Sequence, residues 1–254
     1  MKLVRFEFDD KISYGILGLD NLITIIDGDI FNGGYIESTK KIPLTNVKLL
    51  APCHPSKAVC IGLNYHDHAR EMNLKIPEEP LIFLKPSSAL NHPDGKINYP
   101  AISQNLHYEG ELAIVIKKEA RKVSVEQASN YILGYTCAND VTARDLQMRD
   151  GQWTRGKSFD TFLPLGPCIE TQLDPHKLSI KLLLNGHVKQ TSTTSNLIFK
   201  VPELVAFVSQ VMTLYPGDVI LTGTPSGVGP MEVGDTVSVE IEGVGQLNNV
   251  VVKE

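Results

Sequence analysis

Two glutamates separated by one residue lie within a largely apolar run, LHYEGELAIVI, at residues 106–116. β-Branched and aliphatic residues dominate the second half of this run, which predicts a β-strand. Side chains alternate between the faces of a strand, so Glu109 and Glu111 are expected to point the same way, about 7 Å apart at Cα. Two carboxylates on one face repel each other and are costly to bury. A divalent cation between them would remove both problems.

A third carboxylate is available at Asp140, directly after the apolar segment Ile132–Asn139. Taken alone, Asp140 is more often a helix cap, and the glutamate pair equally suits the solvated face of an edge strand. The apolar residues Leu112–Ile116 favour a central strand instead. Three carboxylates without a cysteine suit a hard octahedral ion, Mg²⁺ or Mn²⁺, rather than zinc. Such an ion leaves positions for a chelating substrate, and it can polarise a carbonyl and stabilise an enolate.

A histidine and a glutamate three residues apart, His68 and Glu71, form a second candidate pair. On a helical turn the two side chains would meet, and a carboxylate orients an imidazole as a general base requires. The alternative for His68 is a surface histidine on a polar helix. His66 and Asp67 could join His68 in a metal clip, but alternate residues of a helix face apart, which disfavours that interpretation.

The elements that must position these residues are mostly short strands, beginning with Lys2–Phe8. Helices are predicted at Ser124–Tyr131 (a capping box), at Thr142–Arg149 and, amphipathic, after Pro202. An Asn185-Gly186 turn predicts a β-hairpin. Few helices among many strands predict a mixed α/β, β-rich fold rather than a doubly wound one.

A break at Ala51–Pro55 divides the chain. We expect a small N-terminal β-rich domain over residues 1–52 and a catalytic domain over residues 53–254. A chain of 254 residues is long enough to bury a sizeable core when it forms a small and a large domain.

The composition narrows the class of protein. Of the residues, 42% are hydrophobic and 21% charged, as in soluble globular proteins. The net charge of −5 and the lack of a basic run argue against nucleic acid as a partner. No apolar stretch approaches the roughly 20 residues that span a bilayer, and the N-terminus does not resemble a signal peptide. The four cysteines lack CxxC spacing, so neither zinc nor disulfides are predicted. We therefore expect a cytoplasmic protein without membrane partners.

Six sequence blocks, taken together and in this order, resemble the fumarylacetoacetate hydrolase family over residues 55–252. The blocks are GLNYHDHAREM, PLIFLKP, HYEGELAIVI, GYTCANDVTARDLQ, KSFDTFLPLGP and PGDVILTGTPSGVGP. The resemblance implies a C-terminal catalytic domain of the family's mixed β-sandwich roll, often preceded by a small N-terminal domain. It also implies a homodimer.

The resemblance assigns roles to the charged residues. Glu109, Glu111 and Asp140 match the family's three carboxylate ligands of Mg²⁺ or Mn²⁺. Lys157 matches the active-site lysine, whose fixed positive charge would hold an enolate or a substrate carboxylate. For a lone lysine, an exposed surface position would be the default interpretation.

Further matches concern the substrate and the base. Arg144 and Gln147 lie three residues apart and so share a helix face; they match residues that contact the substrate's carboxylate and oxo groups. Thr224, in the Gly223-Thr224-Pro225 turn, matches a residue that donates to the bound acid. His68 and Glu71 match a pair on a mobile lid that closes over the site and activates water.

The expected function is a divalent-metal-dependent enzyme that acts on a 2-oxo or β-dicarbonyl acid through a metal-stabilised enolate. C–C bond hydrolysis of an acylpyruvate or fumarylacetoacetate-type substrate is favoured. Alternatives on the same site are isomerisation of 2-hydroxyhepta-2,4-diene-1,7-dioate in aromatic catabolism and decarboxylation of oxaloacetate. A non-catalytic oxo-acid-binding relative should lack a ligand or the base, and every matched position is filled here. A scaffold role has only the expected dimer in its favour.

Overall fold

The computed structural model describes residues 1–254 and confirms the β-rich fold, with many strands and four short α-helices. The strands are β1 (Lys2–Phe8), β2 (Lys11–Leu17), β3 (Leu22–Asp27), β4 (Ile36–Pro43), β5 (Lys48–Leu50), β6 (Lys57–Gly62), β7 (Leu81–Pro86), β8 (Leu90–Asn91), β9 (Lys96–Tyr99), β10 (Leu106–Tyr108), β11 (Gly110–Ile116), β12 (Ile132–Asn139), β13 (Thr142–Ala143), β14 (Leu163–Glu170), β15 (Ser179–Leu184), β16 (His187–Thr193), β17 (Val219–Leu221), β18 (Gly229–Met231), β19 (Thr236–Ile241) and β20 (Gly245–Lys253). The helices are α1 (His66–Glu71), α2 (Arg144–Asp150), α3 (Thr154–Lys157) and α4 (Val201–Val211).

A twelve-stranded sheet forms the centre of the molecule, with the main order β4-β3-β2-β1-β14-β12-β11-β17-β6-β7. The first strands of the chain join this sheet through β1, which pairs with β14. Strand β11 lies between β12 and β17, and every residue from Gly110 to Ile116 is buried. The carboxylate of Glu111 therefore lies on a central strand and not on a solvated edge.

The run from Leu106 to Ile116 is not one strand, contrary to the sequence-based prediction. It is interrupted at Glu109, so that β10 pairs with β13 and β18 in a separate three-stranded sheet. At the break, the Glu109 N–H donates to the side-chain oxygen of Asn139 at 2.9 Å. The Glu109 carbonyl accepts from the Asp140 N–H at 2.8 Å. A side-chain bond thus replaces a sheet bond, which strand periodicity cannot reveal.

Apolar side chains cover both faces of β11. On one face Leu112 and Ile114 join a large cluster with Leu182 of the five-stranded sheet, whose order is β16-β15-β19-β20-β9. On the other face Ala113 joins a second cluster with Leu165. The predicted hairpin is present as β15 and β16, joined by a two-residue turn with positive φ at both residues.

Two helix predictions need correction. The segment Val125–Tyr131 is a 3₁₀ helix, and Ser124 makes no side-chain cap. The Gln127 N–H bonds instead to the Ser124 carbonyl, three residues back. The helix predicted from Thr142 begins at Arg144, because Thr142 and Ala143 pair with β10. None of the helices combines the length and apolar character needed to cross a membrane.

A buried carboxylate, Asp218, ties β17 to its parallel neighbour β6. It is 0% exposed and accepts hydrogen bonds from the main-chain N–H groups of Ser56, Lys57 and Tyr215. It also accepts from the Ser56 hydroxyl and pairs with the Lys57 ammonium. One side chain therefore satisfies donors from the segments that precede both strands.

Replacing this carboxylate should destabilise the sheet beside β11. Asp218→Ala leaves the Lys57 ammonium and three N–H groups without a partner, and we expect a loss of about 3 kcal/mol in the free energy of unfolding. Urea unfolding at pH 7 measures it. Asp160→Ala, at an exposed turn, is the control and should change the value by less than about 0.5 kcal/mol. Equal effects of the two variants would contradict the assignment.

Candidate functional site

The three predicted carboxylates meet at one point in the structure. Ligand atoms of Glu109, Glu111 and Asp140 all lie within 4.8 Å of one another, and the three residues are 7%, 2% and 1% exposed. The break before β11 supplies the first, β11 itself the second, and the end of β12 the third. The sequence spacing thus predicted a cluster that three separate backbone positions form.

Two of the carboxylates have cationic partners. The Lys157 ammonium lies 2.9 Å from Glu109 Oε2 and 2.7 Å from Asp140 Oδ2. Arg144 pairs with the other oxygen of Glu109. Burial acts to raise the pKa of Glu109, but Lys157 and Arg144 outweigh it and hold that pKa well below its usual range. Burial acts to lower the pKa of Lys157, and Asp140 and Glu109 raise it.

Glu111 has no cationic partner. Its carboxylate accepts one hydrogen bond, from the Gly223 N–H at 2.6 Å. Burial, and then the charges of Asp140 and Glu109, raise the pKa of Glu111 well above its ordinary value. An uncompensated carboxylate beside two others is the arrangement that a divalent cation stabilises. Three carboxylate oxygens are ligands that Mg²⁺ and Mn²⁺ accept, and Glu109, Glu111 and Asp140 would hold the ion.

A buried lysine that sequence reasoning missed, Lys85, supports Asp140. It is 0% exposed, and its ammonium lies 2.7 Å from Asp140 Oδ1. It also donates to the carbonyl oxygens of Val141 and Phe162 at 2.9 Å and 2.7 Å. These bonds fix the turn in which Asp140 lies. The available signal was a lysine inside the apolar strand sequence LIFLKP. A lysine in a buried strand needs a partner, because an unpaired lysine is rarely buried.

The predicted substrate-contacting residues of α2 share one face. Arg144 donates to Gln147 Oε1 at 2.6 Å and also reaches Glu109, so the guanidinium joins the helix to the carboxylate cluster. His107, also missed, lies beside it with its Nε2 2.9 Å from the side-chain oxygen of Asn105. Burial and then Arg144 lower the pKa of His107 to about 4, so this imidazole is neutral at pH 7.

The predicted general-base pair is formed. His68 Nδ1 lies 2.9 Å from Glu71 Oε2, within the single turn of α1. The other oxygen of Glu71 accepts from the Gly227 N–H at 3.0 Å, which joins α1 to the loop between β17 and β18. Because Nδ1 is held by the carboxylate, Nε2 is the ring atom left to act as a base.

Contacts with β16 and the turn after it fix α1, and sequence reasoning missed them. The Asp67 carboxylate accepts from the Ser192 hydroxyl and, at 3.4 Å, from the Asn196 amide. The partners are 125 and 129 residues away along the chain, so no local pattern could indicate the contact. They tie α1 to the five-stranded sheet.

The hydroxyl of Thr224 is engaged within the protein. It donates to the Gly110 carbonyl at 3.0 Å and accepts from the Gln190 amide at 2.9 Å. The Gln190 side-chain oxygen accepts from the Gly110 N–H at 2.9 Å. Gln190 therefore clamps the Thr224 turn to the strand of the two glutamates. The main-chain N–H of Thr224, which has no partner within the protein, is the donor left for a bound acid.

One cavity of about 560 Å³ brings the predicted residues together. Eight of them line it, and Glu71 lies behind His68; the eight are His68, Glu109, Glu111, Asp140, Arg144, Gln147, Lys157 and Thr224. The volume is within the range of small-molecule sites. The arrangement offers a buried cation site, a fixed ammonium, carboxylate-binding groups and a carboxylate-oriented imidazole.

Comparison with known proteins finds two matching family models and several relatives. Residues 57–252 match the family model "Fumarylacetoacetate (FAA) hydrolase C-terminal", and residues 1–52 match "Rv2993c-like, N-terminal". A mitochondrial oxaloacetate tautomerase of Rattus norvegicus is 45% identical over 223 residues, covering 83% of this chain and 71% of the relative.

Two solved structures share the fold. The 2-hydroxyhepta-2,4-diene-1,7-dioate isomerase of Mycobacterium marinum is 46% identical with a TM-score of 0.92, covering 100% of this chain and 99% of that one. The maleylpyruvate hydrolase of Sphingobium sp. SYK-6, solved with manganese(II) and pyruvate, is 31% identical with a TM-score of 0.82 and the same coverage.

The uncompensated charge of Glu111 generates a prediction with opposite effects on binding and stability. Glu111→Gln should weaken Mn²⁺ binding by more than about a hundredfold, because one of the three carboxylate ligands is lost. It should also raise the melting temperature of the metal-free protein, because a buried repulsive charge is removed. The pKa of Glu111 in the folded state lies above its value in the unfolded state. The stability that the protonated carboxyl group contributes at low pH is therefore lost as pH rises. The advantage of glutamine should therefore grow with pH.

Calorimetric titration with Mn²⁺ and melting curves in a chelator from pH 5 to pH 9 measure both effects. Glu119→Gln, at an exposed position, is the control and should change neither. A Glu111→Gln variant that binds Mn²⁺ like the wild type would contradict the assignment of this cation site.

Proposed function

This chain belongs to the fumarylacetoacetate hydrolase family, and we propose that it hydrolyses the C–C bond of an acylpyruvate-type 2-oxo acid. The observation that carries the proposal is the cavity itself. A buried carboxylate cluster with a lysine and a carboxylate-oriented histidine line the same 560 Å³ space. Relatives whose names state an activity, among them the tautomerase, the isomerase and the hydrolase above, are enzymes acting on oxo or hydroxy acids.

The pyruvate half of the substrate would bind at the charged floor. Arg144 and Gln147 bind its carboxylate, and the Thr224 N–H donates to it. A divalent cation held by the three carboxylates would polarise the oxo group and offset the negative charge of the acid. Lys157 is buried and held in place by Glu109 and Asp140, so its ammonium would be a fixed donor beside the oxygen that becomes negative.

His68 would start the reaction as a general base. Its Nε2 takes a proton from water, and the hydroxide oxygen bonds to the remote carbonyl carbon of the acyl group. That carbon's bond to the pyruvate methylene then breaks, and the electron pair moves onto the methylene carbon, giving an enolate that Lys157 holds. The proton returns from His68 to this carbon. The products are pyruvate and a carboxylic acid, and no oxidant or reductant is needed.

Access of water favours hydrolysis. The side chains of His68 and Glu71 are 15% and 37% exposed, while Lys157 is 2% exposed. The base therefore lies at the open side of the cavity, where water arrives, and the electrostatic groups lie at its closed side.

The first test uses acetylpyruvate as substrate and Mn²⁺ as the ion. His68→Ala should lower kcat by about 10²–10⁴-fold with a smaller effect on KM, because a proton acceptor is lost and not a binding group. Glu71→Gln should have a smaller effect of the same kind. The decrease of the substrate's enol absorbance with time measures the rate. His66→Ala, on the same helix, is the control.

If the His68→Ala variant keeps the kcat of the wild type, His68 is not the general base. Absence of turnover by the wild type, at any Mn²⁺ or Mg²⁺ concentration, would contradict hydrolysis itself.

A second candidate is proton transfer without bond cleavage, the keto–enol tautomerisation of oxaloacetate. The name and 45% identity of the Rattus norvegicus relative favour it. His68 would then move a proton between carbon and solvent, with Lys157 again holding the enolate oxygen. Decarboxylation of oxaloacetate and isomerisation of the diene dioate remain further alternatives on the same groups. Parallel assays with oxaloacetate, following the enol band and released carbon dioxide, separate tautomerisation and decarboxylation from hydrolysis, and an assay with the diene dioate as substrate tests the isomerisation.

The resemblance also leads us to propose a homodimer, a cytoplasmic location and a part in the catabolism of aromatic compounds. Sedimentation equilibrium of the purified protein tests the dimer. A monomer at micromolar concentration would contradict it.

A further inference from the structure

The outer part of the cavity differs from its floor in chemistry. The floor residues Glu111, Asp140 and Lys157 are almost wholly buried. Towards the mouth the lining becomes apolar and exposed: Met72 and Leu74, which follow α1, are each 52% exposed, and Met148 of α2 is 79% exposed. Exposed apolar side chains gathered around the mouth of a cavity mark a surface that a ligand covers.

An aromatic wall connects the floor to this mouth. The Lys157 ammonium lies 5.0 Å from the ring centre of Phe83, and that ring lies 5.2 Å from the ring of Trp153 in an edge-to-face contact. Gly62 makes room for the wall, since a Cβ there would lie 2.8 Å from the Trp153 ring. An acyl chain that leaves the floor therefore passes two aromatic rings, which line the same cavity as Met72, Leu74 and Met148.

Two cationic side chains line the cavity. They are Lys157 and Arg144, and both already pair with Glu109. The histidines of the lining are His68, whose Nδ1 lies 2.9 Å from Glu71, and His107, whose Nε2 lies 2.9 Å from the side-chain oxygen of Asn105. A second carboxylate packed against Met72, Leu74 and Met148 would meet apolar side chains, and each lining cation already has Glu109 as a partner, which is unfavourable.

We propose that the acyl group of the substrate is uncharged and apolar, and longer than acetyl, and that it packs between the Phe83–Trp153 wall and the side chains of Met72, Leu74 and Met148. The inference rests on the proposed hydrolysis and names its substrate class: alkanoyl- or aroylpyruvates and not acids with a distant second carboxylate. Methionine side chains, flexible and polarisable, adapt to acyl groups of different shape.

Two substrates of equal length test the inference. Hexanoylpyruvate and adipoylpyruvate differ only in a terminal methyl or carboxylate. We expect kcat/KM to be at least about tenfold higher for hexanoylpyruvate, and to rise by up to about threefold with each methylene from acetyl to hexanoyl. Equal values for the two, or a preference for adipoylpyruvate, would overturn the inference while leaving hydrolysis intact.

A charge introduced at the mouth should reverse the preference. Met148→Arg should shift the ratio of the two kcat/KM values towards adipoylpyruvate by at least about tenfold, because the second carboxylate gains a partner. Val233→Arg adds the same charge at an exposed apolar position outside the cavity, and its ratio should stay that of the wild type. Equal shifts by both variants would contradict a local effect at Met148.

A binding measurement keeps the inference testable if hydrolysis fails. 2-Oxooctanoate and 2-oxosuberate lack the second carbonyl, so hydrolysis cannot cleave them, and they differ only at the far end. Calorimetry with the Mn²⁺-loaded protein should give at least about tenfold tighter binding of 2-oxooctanoate, and Met148→Arg should reverse the order. Tighter binding of 2-oxosuberate by the wild type would overturn the apolar site, whatever the fate of the acylpyruvates.

Discussion

Repulsion among three buried carboxylates is the constraint on which the rest of the structure depends. Lys157 lies between Glu109 and Asp140, and Lys85 reaches Asp140 from the other side, so two of the three charges are balanced by buried ammonium groups. Glu111 is left with one main-chain donor. Burial and the two neighbouring carboxylates make ionisation of Glu111 costly, and a divalent cation held by the three carboxylates would remove that cost.

Placing such a cluster at the centre of a sheet requires a rigid surrounding. Strand β11 is buried along its whole length, and Gln190 bonds to Gly110 between the two glutamates. The same Gln190 holds the Thr224 turn, and Ser192, two residues on, holds Asp67 at the start of α1. One strand of the five-stranded sheet thus positions both the Thr224 turn and α1, so His68 and this turn keep a fixed relation to the carboxylates.

The sequence predicted the chemistry of the site better than the way the chain builds it. Spacing indicated the two glutamates and the pair of His68 and Glu71, because these depend on residue type and short separations. Asp140 was indicated by its place after an apolar strand, and Lys157 by the matched blocks. The break at Glu109 depends on Asn139, thirty residues away, and the support of α1 depends on Ser192. Lys85 lies in an apolar strand sequence, but its partners Asp140 and Phe162 are distant along the chain and only the fold identifies them. Contacts between distant segments carry no local periodicity, so they need the fold.

The division between floor and mouth explains how one architecture serves different reactions. Groups at the floor come from the ends of buried strands and from α3, where a change would disturb the sheet and the carboxylate cluster together. Groups at the mouth, such as Met72 and Met148, come from the segment after α1 and from the exposed face of α2, where they support little of the core. Substitutions at the mouth can therefore change the lining of the outer cavity and the exposure of His68 while the carboxylate cluster and Lys157 are retained. An isomerase, a tautomerase and a hydrolase among similar folds are what that separation permits.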